Sequence, residues 1–339
     1  MRMLLACMLC VSMPPMDAQT CAPAEIAEKA LDRGNVTEAE RALEPFAVSE
    51  PPCNRVVLQL ARLRAAQKQP QAADSYFTAY LAHEPQDAKG YQYFARFLFL
   101  IGDYPRADAM SSRAISLDPS SAGALTLQGR LLVMKGEPGK GQLLLEKACK
   151  IDPINAEAHF QLGALMDRQK RYAEAVEQFK QVIALEPANP QAYDYLALDL
   201  EPMGLIEKAE AAYQKGLQVN QTPPLDSFLD YNYGRLLMKR NRLSESKMHL
   251  DRAVELAPNV RAVRYERGKL NFRLGNYQDA RNDAERALSL QDPGKVIIDL
   301  QIYNLLQLIY ARLGEKDLAR QYAELSRTTP IQLRQDSPR

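Results

Sequence analysis

The chain has no tryptophan, three histidines and five cysteines in 339 residues, which leaves little side-chain material for metal or imidazole chemistry. Charge of one sign is also missing. The 43 Lys and Arg face 42 Asp and Glu, and the resulting +1 gives no global pull toward nucleic acid or anionic membrane. His83, His159 and His249 stand far apart with no Cys or carboxylate at ligand spacing, so each reads as a helix residue rather than a metal ligand. Gly-rich phosphate loops, nucleophile elbows and paired-carboxylate constellations are absent, so no enzyme chemistry is expected and no cofactor is assigned. The apolar run near the amino terminus, Met3 to Met13, has 11 residues. A membrane-crossing helix needs about 20, so no stable span is expected.

That run fits a short secretory signal instead: Arg2, the apolar stretch, Pro14 and Pro15, then small Ala18 ahead of Gln19. Residues 1–19 are therefore expected to direct export to a periplasmic or secreted location, with cleavage near Ala18. Cleavage would remove Cys7 and Cys10 and leave Cys21, Cys53 and Cys149. In an oxidising compartment Cys21 and Cys53 are candidates for a disulfide, the alternative being two unpaired thiols. Cys149 reads as a small buried hydrophobe.

What the chain has is a period. Pro51, Pro85, Pro119, Pro153 and Pro187 follow one another at intervals of 34 residues. Blocks counted from this spacing run 20–53, 54–87, 88–121, 122–155, 156–189 and 190–223. The count resumes after three residues with 227–260 and 261–294, and after five more with 300–333, leaving a polar tail, 334–339. Block position 20 is small in all nine blocks, from Ala39 to Ala319, and position 8 is small in eight, from Ala27 to Gly268. Small residues at two such places let the helices of a hairpin approach closely. Leu162, Met166, Val176, Phe179 and Ile183 recur every three or four residues, as in two amphipathic helices, and Pro at position 32 ends the second.

These residues resemble the tetratricopeptide repeat (TPR) family: a 34-residue unit, small residues at positions 8 and 20, a large apolar residue at 24 (Phe77, Leu145, Phe179, Tyr213) and Pro at 32. The family's position-4 Trp is missing, with Val57, Tyr91, Leu125, His159 and Tyr193 in its place. The resemblance implies an all-α, right-handed superhelical solenoid of antiparallel helix hairpins, about nine repeats long. It also implies an inner groove lined by the first helix of each repeat.

At position 9 that lining carries Arg62, Arg96 and Arg130 in one stretch and Arg235 and Lys269 in another, with Lys239 and Arg273 at position 13. Phe99, Tyr231 and Tyr265 accompany them. Guanidinium groups with neighbouring rings would suit an extended, acidic peptide; the plainer reading is of solvated cations balanced by nearby acids, with the rings in the core. The signatures of chaperone-binding and Asn-ladder members do not occur. The expected function is thus an exported, non-catalytic scaffold that binds peptide or protein segments in its groove, not nucleic acid. The alternative is an accessory or regulatory subunit of an envelope enzyme or of a secretion or assembly complex, binding through its convex face or ends. The partner and the oligomeric state are left open.

Overall fold

The structure, a computed structural model, describes residues 21–46, 53–223, 225–292 and 296–329. The expected signal segment, 1–19, and the tail, 334–339, lie outside the described residues, as do Pro51, Pro224, Pro293 and Pro330. Everything regular among the described residues is helical. The chain divides into two compact units, one running to Pro153 and the other starting at Ile154.

The first unit holds four hairpins: α1 (Ala22–Asp32) with α2 (Val36–Leu43), α3 (Asn54–Ala66) with α4 (Pro70–His83), α5 (Ala88–Leu100) with α6 (Tyr104–Leu117), and α7 (Ala122–Met134) with α8 (Pro138–Ile151). The second holds five: α9 (Ala156–Arg168) with α10 (Tyr172–Leu185), α11 (Pro190–Leu200) with α12 (Ile206–Val219), α13 (Ser227–Lys239) with α14 (Leu243–Leu256), α15 (Arg261–Arg273) with α16 (Tyr277–Ser289), and α17 (Asp299–Leu313) with α18 (Lys316–Thr328). Short polar side chains start many of these helices by accepting orphan amides. Asp87 accepts from Lys89 and Gly90, Asn155 from Ala158, and Asn189 from Ala192.

The small positions set the distance between hairpin helices. Ala61 and Ala73 have no exposed surface, and neither do Ala197 and Ala209. Gly129 and Gly141 carry the principle furthest: a Cβ built on Gly141 would lie 2.7 Å from the carbonyl oxygen of Gly129. Here the two backbones touch, and any side chain would force α7 and α8 apart.

Every hairpin turns through one left-handed residue at block position 15. Six are Gly, including Gly34, Gly102 and Gly136, and the others are Lys68 (φ 58°), Lys170 (φ 61°) and Asn241 (φ 61°). The amide after it reaches back to the last turn of the first helix, as from Asn35 to the Ala30 carbonyl at 2.8 Å and from Asp103 to the Leu98 carbonyl at 2.9 Å. This closure satisfies carbonyls the helix end would otherwise leave open. Left-handed backbone costs an ordinary L-residue about 1–2 kcal/mol, partly offset by the unfolded-chain freedom that Gly adds. Lys170→Gly is therefore expected to stabilise the protein by about 0.5–1 kcal/mol, read as a higher urea midpoint. An unchanged or lower midpoint would show that the turn is not strained.

Position 4 meets position 23 of the same hairpin, and the chemistry of the pair changes from repeat to repeat. His159 Nδ1 lies 2.7 Å from Gln178 Oε1, and Asp230 Oδ1 lies 2.7 Å from His249 Nδ1. Arg264 donates to Asp283 at 3.1 Å, and the rings of Tyr303 and Tyr322 are 5.9 Å apart. These pairs fill the place of the absent Trp.

Within each unit, successive first helices approach one another: α1, α3, α5 and α7 in the first, and α9, α11, α13, α15 and α17 in the second. Successive second helices make no comparable approach among the described residues. The first helices therefore lie on the inner side of the local curve, and the face they share is where a groove would be.

Candidate functional site

In the first unit, Arg62 on α3 donates to Asp32 on α1 and, at 2.9 Å, to Gln59, while its guanidinium sits 4.0 Å over the Tyr93 ring on α5. Its side chain is 12% exposed, so it acts as a staple across three first helices rather than as an open binding group. Glu28 on α1 is tied to Lys89 and Arg55, whose hydrogen bonds and charges hold its carboxyl below the usual range against the opposing effect of burial. Arg130 on α7 lies 4.4 Å over the ring of buried Phe99 on α5, a cation–π contact between adjacent first helices. Arg96 differs from these. It is exposed and has no ion pair or hydrogen bond among the described residues. Beside it Leu100 is 73% exposed, Ile101 and Tyr104 are exposed, and Met134 stands one turn after Arg130 on α7, also exposed.

In the second unit the predicted residues do share one face, but their charges are already answered. Lys239 donates at 2.8 Å to Glu201, the C-cap of α11, and Lys269 donates to Glu266 at 2.8 Å while lying 5.5 Å over Tyr265. Arg273 donates to the Met238 carbonyl at 2.7 Å and to Asn241 at 2.9 Å. Arg235 lies 5.3 Å over the buried Tyr231 and donates to Asn232 Oδ1 at 3.1 Å. Burial, then Glu266 and Tyr231, push the Tyr265 hydroxyl up to about 12, so it is a neutral donor at ordinary pH. Apart from Arg96, the basic groups read along positions 9 and 13 are thus already engaged, and Arg62, Lys239 and Lys269 are paired with acids. The reason is geometric: the neutralising acids sit at positions 6, 12 and 13 of the same or preceding block (Glu266, Glu201 and Asp32), and a single column of the repeat does not show them.

One group on this face escaped the sequence reading. Asp194 on α11 is buried, and both of its oxygens accept from Asn232 Nδ2 on α13, at 3.0 Å each. The two residues are 38 apart rather than a block-related 34 or 35, because the three-residue insertion falls between them, so the period gave no hint that they meet. Cys149 is half-buried, and desolvation pushes its thiol up to about 11, far from a reactive thiolate. No group of three or more His, Cys, Asp or Glu able to hold a metal occurs among the described residues.

TPR family profiles match residues 156–189 and 231–295. No curated protein matches the chain by sequence. Among solved structures, the chain is similar to the APC/C hetero-tetramer Cut9–Hcn1, with a TM-score of 0.66 at 13% identity over 84% of this chain and 54% of that one. It is also similar to PilW, a type IV pilus biogenesis factor, with a TM-score of 0.54 at 19% identity over 62% of this chain and 94% of that one. YrrB, a TPR protein with an unusual peptide-binding site, aligns at 22% identity with a TM-score of 0.43 over 55% of this chain and 95% of that one. The two profile matches, the 34-residue hairpins and the small residues between their helices have one reading: the chain belongs to the tetratricopeptide repeat family.

Proposed function

We propose that this chain is an exported, non-catalytic scaffold that grips a segment of a partner protein on the first-helix face of α5 and α7. One observation carries the choice of place: Arg96 is the member of the predicted cation set that is exposed with no partner among the described residues, and it borders exposed Leu100, Ile101 and Met134. A guanidinium beside an apolar strip suits a segment that offers a carboxylate next to bulky apolar side chains. The likenesses to PilW and Cut9–Hcn1 speak for the fold alone at their low identity.

Export rests on the apolar run Met3 to Met13 and on the Cys21–Cys53 bond, a linkage that persists outside reducing compartments. Amino-terminal sequencing of the protein recovered from cell fractions is expected to begin near Gln19; an intact Met1 in cytosolic material would overturn this part.

For the grip, Arg96→Glu combined with Leu100→Asp is expected to weaken partner capture by at least about tenfold, the effect of losing roughly 1.4 kcal/mol or more at a central contact. Helicity by circular dichroism should not change, because both side chains are exposed. Undiminished capture by the double variant would move the site elsewhere.

A further inference from the structure

We propose that Asp194, Asn232 and Arg235 form a proton-operated latch in the second unit, holding Arg235 back while Asp194 is ionised and releasing it to the inner face when Asp194 is protonated. Asp194 is 4% exposed, and Asn232 is buried beside it. The ionised carboxylate accepts from Asn232 Nδ2 with both oxygens, and the opposite end of the same amide, Oδ1, accepts from Arg235. An amide has one donating and one accepting end, so the carboxylate fixes its orientation. A protonated Asp194 keeps one accepting oxygen and adds an O–H, which Asn232 Oδ1 can accept once the amide turns over. The amide N–H groups then face a guanidinium that can only donate, and Arg235 loses its partner on this side. The proton comes from solvent, and only hydrogen bonds are exchanged.

The surroundings favour such a change near neutrality. From the C-cap of its own helix Asp194 is faced by Glu201; α12 contributes the Tyr213 hydroxyl, and α13 with its N-cap contributes Arg235 and Asp226. From α9 and α10 the rings of Phe160 and Phe179 pack on neighbouring Tyr195, at 5.3 and 5.1 Å. Burial first, then Asp226 and Glu201, push the Asp194 carboxyl up to about 7, against the Asn232 bond and Arg235, which favour the ion. Because the folded-state value is raised above that of the unfolded chain, the folded protein takes up this proton first as pH falls. Its contribution to stability is lost as pH rises through about 7. Release of Arg235 together with neutralisation of Asp194 makes the inner face of α11, α13 and α15 more positive below that midpoint. The latch does not depend on where a partner docks.

The test is a side-chain NMR titration of the full exported chain from about pH 8.5 to 5.5, following the Asp194 carboxyl carbon, the Asn232 side-chain amide and the Arg235 Nε–Hε group. The expected result is one shared midpoint near pH 7 for all three probes. In Asp194→Asn the Arg235 signal is expected at its low-pH position throughout, with no titration at Asn232. An Asp194 that titrates alone, or stays ionised over the whole range, would overturn the latch, as would an Arg235 signal that still follows pH in the variant. If that variant does not fold, the shared or separate midpoints of the native chain decide.

Discussion

Asp283→Ala is expected to destabilise the second unit by about 3–5 kcal/mol, the range for removing one partner of a buried ionic cluster. Asp283 on α16 is 2% exposed and accepts from Arg264 at 3.1 Å, from Arg267 Nε and an Arg267 terminal nitrogen at 2.7 Å each, and from Asn271 at 3.2 Å. Both arginines lie on α15 with side chains only 21% exposed, so truncation leaves two poorly hydrated cations facing each other across an empty acceptor site. Arg267 keeps a second contact, Asp251 at 3.2 Å, which places the effect toward the lower end. Urea unfolding combined with amide exchange in α15 and α16 measures it. A loss under about 1 kcal/mol would mean that water reaches these groups far better than their burial indicates.

Reduction of the Cys21–Cys53 bond, or Cys53→Ser, is expected to cost about 3–4 kcal/mol by the loop-closure estimate, applied to a sequence separation of 32. The two cysteines cap the amino ends of α1 and α3, with Cα atoms 6.1 Å apart, so the bond ties the first hairpin to the second at the helix starts. The penalty falls on the hairpin at the edge, which has a neighbour on one side only among the described residues. Amide exchange in α1 and α2 should accelerate by two to three orders of magnitude, while α5 to α8 change little. Equal acceleration through the whole first unit would instead make the unit a single cooperative block.

Much of this architecture was legible because it repeats. The prolines from Pro51 to Pro187 gave the period, and the small residues at positions 8 and 20 gave the hairpin contact, since a fixed steric need recurs as a fixed residue type. The left-handed backbone at position 15 was not read: Lys68, Lys170 and Asn241 hide a conformation that six glycines share. The pairing of position 4 with position 23 was missed for a different reason, because what recurs there is contact and not identity. The face itself was half legible. Arg62, Arg130, Arg235 and Lys269 lie where the period put them, yet their partners come from other columns and neighbouring helices, so their availability could not be read from spacing.

The changing pair at positions 4 and 23 bears on how a chain of near-equivalent modules avoids assembling wrongly. Any first helix could in principle pack on the second helix of another repeat, since the small residues at the contact are shared. A swap between the seventh and eighth blocks would bury Asp230 against Asp283, carboxylate against carboxylate, and set Arg264 against His249 with no acid to answer the guanidinium. Neighbouring modules are thus keyed to their own halves, and a newly made first helix has a chemical reason to wait for the second helix that follows it in the chain.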